Sequence, residues 1–224
     1  MMRVVITRAL PEAEITAARV REHGHEPVLA PLLTIAALPF DADTSGAQAL
    51  IFTSINGVRA FAAHSQERAL PAYTVGDATA AAAREAGFTR IHSADGAAGD
   101  LVRLIKAVAA PVAGALIHFS GEHIARDIAA DLAAAGFSAA RRIVYEARAA
   151  ATLPPALNAQ FDLVLFHSAR AAEIFLALGG QGAERTAACI SEAVADAARR
   201  AGFRRIIVAP APREDALLAA AFGG

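Results

Sequence analysis

The sequence predicts an α/β protein of parallel sheets covered by helices, and three observations predict it. Short apolar runs alternate with alanine-rich amphipathic stretches along the whole chain. That is the pattern of strands buried on both faces with helices laid over them. The amphipathic stretches stop at glycines, which turn left-handed past a last helical residue at little steric cost. The chain also repeats itself at about half of its 224 residues, which implies two copies of one unit.

The expected strands, in order, are residues 3–7, 26–30, 49–54, 72–76, 90–93, 115–120, 141–145, 162–168, 187–191 and 205–209. The first helix carries Pro11 in its opening turn and ends at Gly24. Others run over 77–87, 122–136 and 192–202, each ending in glycine. Ser54 or Asn56, Ser120 and Ser168 stand where a capping oxygen is needed, and Asp77, Glu122 and Glu192 suit the helix dipole.

The repeat sets residues 73–88 over 188–203, 115 positions on, and 52–61 over 166–175, 114 positions on. Gly87-Phe88 then matches Gly202-Phe203, and Ser54 matches Ser168. More loosely, the opening strand and helix lie over 115–136 at an offset of 112. Each copy is expected to be a five-stranded α/β unit. Two extended stretches break the rhythm. Residues 31–40 are bracketed by prolines, and 142–149 lead into Pro154-Pro155; both read as connectors.

Composition narrows the function. Hydrophobic residues make up 55% and charged residues 19%, which excludes disorder. Charge-free runs such as 44–58 stop short of the roughly 18 apolar residues of a membrane span. A net charge of −1 gives no field that would attract nucleic acid. The single Cys189 excludes an internal disulfide framework, and the seven histidines form no ligand cluster, so no metal is expected. Glycine-rich phosphate loops and the nucleophile-elbow motif are missing, so no nucleotide cofactor is expected either. The opening apolar run is three residues, Val4-Val-Ile6. That is too short for a secretory core, and the expected location is cytoplasmic.

In parallel sheets, ligands sit beyond the carboxyl ends of the strands. The polar and glycine residues there include Thr7, Arg8, Thr53, Ser54, Asn56, Gly76, Thr79, Ser120, Gly121, Ser168, Arg170 and Ser191. Small hydroxyls and glycines at helix starts cap helices; together they also offer N–H donors to an anion. Tyr145, where the second connector leaves a strand, is the best candidate for an acid. Two lobes of this kind also describe a small-molecule binding protein without catalysis.

These residues, in this order, resemble the uroporphyrinogen-III synthase family. The resemblance rests on residues 4–8, Gly24-His25, 31–35, 51–61, 75–79, Ser120-Gly-Glu122, Val144-Tyr145 and Phe166-His-Ser168. It implies two similar flavodoxin-like domains joined by a two-stranded antiparallel linker, with the active site in the cleft. The first domain would combine 1–36 with 149–224, the second would span 41–141, and 33–40 and 142–150 would connect them. The implied reaction is cofactor-free closure of the linear tetrapyrrole hydroxymethylbilane, with inversion of ring D and loss of water. Tyr145 would be catalytic, and the twelve residues above would bind the polycarboxylate substrate. A monomer is expected, with handover from the preceding pathway enzyme. The chain departs from the family where Ser191-Glu-Ala193 replaces a Gly-Pro-Thr type turn, and where Val194 stands in the second-copy place of Thr79.

Overall fold

A computed structural model describes residues 1–94 and 96–223. Its elements in order are β1 (Arg3–Ile6), α1 (Glu12–Glu22), β2 (Glu26–Leu29), β3 (Leu33–Ala37), β4 (Ala47–Phe52), α2 (Ile55–His64), β5 (Ala72–Thr74), α3 (Asp77–Glu85), β6 (Ile91–Ser93) and α4 (Ala98–Val108). There follow β7 (Ala115–Gly121), α5 (Ile128–Ala134), β8 (Ala139–Ala149), α6 (Pro155–Asn158), β9 (Leu163–Phe166), α7 (Ala169–Ala177), β10 (Thr186–Cys189), α8 (Glu192–Arg200), β11 (Arg205–Val208) and α9 (Glu214–Phe222). The chain divides into two compact units, Met1–Thr34 with Arg148–Gly224, and Ile35–Ala147.

The first unit holds a five-stranded sheet in the order β11-β10-β9-β1-β2, parallel throughout. The other sheet has the order β3-β8-β7-β4-β5-β6. Its strands from β8 to β6 are parallel. Leu38 N–H donates to the Val144 carbonyl and Ala150 N–H to the Leu32 carbonyl, each at 3.0 Å, so β3 and β8 run antiparallel. Counted from β4, the parallel part is arranged third, second, first, fourth, fifth. Counted from β9 and continuing through β1 and β2, the five-stranded sheet has the same arrangement. The sequence repeat is therefore a topological one, in which β4 and β9, β5 and β10, and β7 and β1 hold equivalent places.

Strand residues feed two cores each, which explains their unbroken apolar runs. In β9, Val164 and Phe166 pack with Phe175 and Phe203, while Leu163 and Leu165 pack with Val4, Val20 and Leu217. In β4, Leu50 and Phe52 join Phe61, Phe88 and Phe119; Ala49 and Ile51 join Leu101, Ile105 and Leu132. Each fully buried phenylalanine contributes about 2–3 kcal/mol.

Glycines stop the helices as expected: Gly24 and Gly87 take φ of +76° and +97°. Helix α4 has no such stop and ends at Ala109 in extended backbone, so glycine punctuation did not signal it. The helix expected over 122–136 forms only at Ile128–Ala134. Its cap is Asp127, whose carboxylate accepts the Ala130 N–H at 3.1 Å. Ser120 accordingly caps nothing and lies inside β7, and Glu122 sits six residues ahead of the helix it was expected to start.

Helix α2 lies unusually close to β7. A Cβ added at Gly57 would meet the Phe119 carbonyl oxygen at 2.6 Å, and backbone cannot swing aside as a side chain can. Gly57→Ala is therefore expected to lower stability by about 1–3 kcal/mol. Urea unfolding should show a lower midpoint with an unchanged slope; an unaltered midpoint would disprove the close approach.

Candidate active site

Beyond the carboxyl ends of β4, β5 and β7, the second unit has a cavity of about 280 Å³ lined by Thr53, Ser54, Val75, Gly121, Arg126 and Tyr145 among others. Ser54 stands at the N-cap of α2, where its Oγ accepts the Gly57 N–H at 3.1 Å. The same Oγ lies 2.8 Å from the Tyr145 hydroxyl. Tyr145 reaches that position across Gly121, where an added Cβ would sit 2.6 Å from the ring. Glycine thus leaves room for the phenol here. Glu122 N–H donates to the Tyr145 carbonyl at 2.9 Å, tying the β7 end to β8.

Arg141 anchors this corner from below. Its Nε donates to Ser120 Oγ at 2.8 Å, and one Nη donates to the carbonyls of Gly121 and Glu122 at 2.7 and 2.6 Å. Ser120 is buried and in turn donates to the Gly121 carbonyl at 3.1 Å. Its hydroxyl is occupied within the protein. Asn56 lies in the first turn of α2, and Gly76 is the N-cap of α3. Thr79 is 5% exposed and Val194 3% exposed, so both repeat positions pack against their sheets.

The remaining expected site residues belong to the first unit. Thr7 is fully buried and donates to the Leu165 carbonyl at 2.7 Å, joining β1 to β9. Arg8 pairs with Glu214 at 2.6 Å, and Thr16 donates to the other oxygen of that carboxylate at 2.6 Å. Ser168 caps α7 as Ser54 caps α2, accepting the Ala171 N–H at 3.1 Å. Arg170 lies in the first turn of α7, and Ser191 is the N-cap of α8 without a side-chain capping bond.

The sequence of residues 14–219 matches the family model described as uroporphyrinogen-III synthase HemD. This chain belongs to the uroporphyrinogen-III synthase family. It is a cyclising lyase of tetrapyrrole biosynthesis, and its reaction converts hydroxymethylbilane to uroporphyrinogen III with loss of water. The fold is similar to that of uroporphyrinogen-III synthetase from Helicobacter pylori 26695, with a TM-score of 0.68 and 19% identity over 100% of this chain and 99% of that one. A mutant uroporphyrinogen III synthase from the extremely thermophilic bacterium Thermus thermophilus is also similar, with a TM-score of 0.57 and 20% identity over 97% and 96% of the two chains. No curated protein matches the sequence.

Two residues of the cavity lining lay outside the sequence expectations. His123 and Arg126 line the cavity from the loop before α5, which the sequence pattern assigned to helix. Asp127 followed by apolar Ile128 was the available signal, since Asp is a strong N-cap. Arg126 is engaged by Asp131, which holds the guanidinium still more firmly protonated. Among the described residues, no group of three or more His, Cys, Asp or Glu is placed so that it could hold a metal ion. No helix among them is long and apolar enough to cross a membrane. Burial pushes the Cys189 thiol up to about 12, so it is not a nucleophile.

Two histidines are held neutral. Burial, aided by the Arg141 charge against the opposing pull of Asp127, pushes His118 down to about 4. Burial and the Arg8 charge push His167 down to about 3. Both imidazoles protonate near 6.5 once unfolded. The unfolded chain therefore takes up these protons first as pH falls. Stability from these groups is complete above pH 6.5 and is lost as pH drops through 4 and then 3. Urea titrations between pH 7 and pH 4 should give an unfolding free energy that falls by up to about 1.4 kcal/mol per pH unit for each histidine. His118→Gln should remove one such contribution; a profile it leaves unchanged would refute the assignment.

Proposed function

We propose that the cavity of the second unit receives the hydroxymethyl end of hydroxymethylbilane and that Tyr145 protonates the departing hydroxyl. The 2.8 Å contact between Ser54 Oγ and the Tyr145 phenol, on the cavity wall, carries this reading. Ser54 already accepts from Gly57 N–H, so its own hydrogen is available to the phenol oxygen. With Ser54 as the donor across that contact, the phenolic hydrogen is left for the ligand, as general acid catalysis requires.

The step balances simply. The carbon–oxygen bond breaks with its electron pair on oxygen, the phenolic proton completes water and leaves a tyrosinate, and the pyrrole nitrogen, keeping its hydrogen, supplies electrons to form an azafulvenium cation. The proton lost when the closed ring regains aromaticity replaces the one given by Tyr145. The electron-rich pyrrole drives the departure, so the protein's main task is to hold one folded geometry. Its polar groups are mainly hydroxyls and backbone N–H, which suit a polycarboxylate without a strong base.

The proposal extends to architecture and setting. The two units are read as flavodoxin-like domains joined by the β3–β8 pair; the order 2-1-3-4-5, counted from β1 in the first unit, supports this. The enzyme is read as a cytoplasmic monomer that takes its substrate from the preceding enzyme. Among the expected binding residues, Thr53, Ser54 and Gly121 form the contact set most directly supported.

Tyr145→Phe keeps the ring over Gly121 and should fold normally. Turnover should fall about 100-fold, the low end for general acid catalysis, with the inverted isomer still the main product. Ser54→Ala should lower turnover less, about 10-fold, and cost about 1 kcal/mol of stability through the lost cap. Stopped assays with isomer-resolving chromatography measure both. Full activity in folded Tyr145→Phe would remove the acid role.

A further inference from the structure

We propose that His118, buried behind the cavity wall, fixes Thr53 as a hydrogen-bond donor to a carboxylate of the substrate. This rests on the cavity being the substrate site. Thr53 lines that cavity immediately before the cap residue Ser54. Its Oγ1 lies 3.0 Å from Nε2 of His118, a fully buried residue of β7. Thr53 makes no other hydrogen bond through its side chain among the described residues.

The other ring nitrogen decides the direction of that bond. Nδ1 of His118 is buried and has no hydrogen-bond partner among the described residues. A neutral imidazole carries one hydrogen, on Nδ1 or on Nε2. Placed on Nδ1, it leaves a buried N–H with no acceptor, which folded proteins tolerate less often than an under-used acceptor. Placed on Nε2, it leaves only an unfilled lone pair at Nδ1. The second arrangement makes Nε2–H donate to Thr53 Oγ1. Thr53 then accepts inside the wall, and its one hydrogen is left for the cavity. A hydroxyl locked in that sense welcomes a carboxylate through a charge-assisted bond and offers less to a cation.

The internal repeat indicates that the pair is not demanded by the fold. The places equivalent to His118 and Thr53 in the first unit hold Ile6, also fully buried, and His167. An aliphatic side chain therefore serves the position when only packing is required. Burial together with the nearby Arg141 guanidinium keeps the ring uncharged at neutral pH, as the tautomer argument requires. His118 does not line the cavity, so it is a positioning residue acting through Thr53.

Two measurements test this. In enzyme labelled with ¹⁵N-histidine, the His118 signals, identified by their loss in His118→Gln, should show the hydrogen on Nε2. A hydrogen on Nδ1 overturns the proposal and leaves the role of Tyr145 untouched. Steady-state kinetics with hydroxymethylbilane should then show Thr53→Val raising KM about 10-fold, the value of one charge-assisted bond, with kcat within about twofold. His118→Leu should raise KM by a similar factor, and the double variant no further. His118→Gln, which still offers an N–H near the Nε2 position, should recover most of the loss. A His118→Leu effect that persists in the Thr53→Val background overturns the proposal. So does an unchanged KM in Thr53→Val. Should His118→Leu fail to fold, the tautomer together with Thr53→Ser, expected near wild-type KM, and Thr53→Val decides. Normal turnover in Tyr145→Phe would instead point to failure of the acid assignment.

Discussion

The close approach of α2 to β7 sets the geometry on which the second unit's cavity depends. Gly57 permits it, since any Cβ there would collide with the Phe119 carbonyl. With α2 seated, Ser54 falls at its N-cap and Thr53 at the strand end, facing His118. Phe52, Phe61, Phe88 and Phe119 fill the space on the helix side, with ring centroids 4.5–6.2 Å apart. A site on a packed strand end and a capped helix is held more rigidly than one on a free loop.

The charged groups near the strand ends serve the protein before any ligand. Arg141 binds two carbonyls and Ser120; Arg8 binds Glu214 and Thr16; Arg142 binds the Asp41 carbonyl at 2.8 Å and lies over the Phe119 ring at 5.8 Å. Such guanidinium bonds are charge-assisted and tie neighbouring segments together. The cavity wall of the second unit also carries the hydroxyls of Thr53, Ser54 and Tyr145. That suits a reaction whose difficulty lies in holding one conformation of a reactive chain.

The repeated units show how one frame carries different chemistry. Ser54 and Ser168 cap equivalent helices with the same 3.1 Å bond. One position before each, Thr53 bonds His118, whereas both ring nitrogens of His167 are buried without a partner among the described residues. Capping is a requirement of the helix, so it repeats. The preceding side chain is free of that requirement, and it diverged.

The sequence by itself determined the strand–helix alternation, the glycine stops, the repeat and the family, and it offered Ser54 or Asn56, and Ser168, as caps of equivalent helices. Each depends on local periodicity or on backbone demands that one residue type meets. It also singled out Thr53, Ser54, Gly121 and Tyr145 as candidates by their place at strand ends. It misread residues 122–127 as helix, because the alanine-rich stretch that follows has strong helix propensity and the start was set by the Asp127 cap. Tertiary structure alone decided that Ser120 and Thr7 turn inward, that Arg8 and Arg141 are engaged, and that Ser54 meets Tyr145, 91 positions away. Those outcomes depend on which strands lie side by side. The β4–β7–β8 order brings Thr53, His118 and Tyr145 to one end of the sheet, and strand neighbours are fixed by burying whole faces rather than by any local pattern.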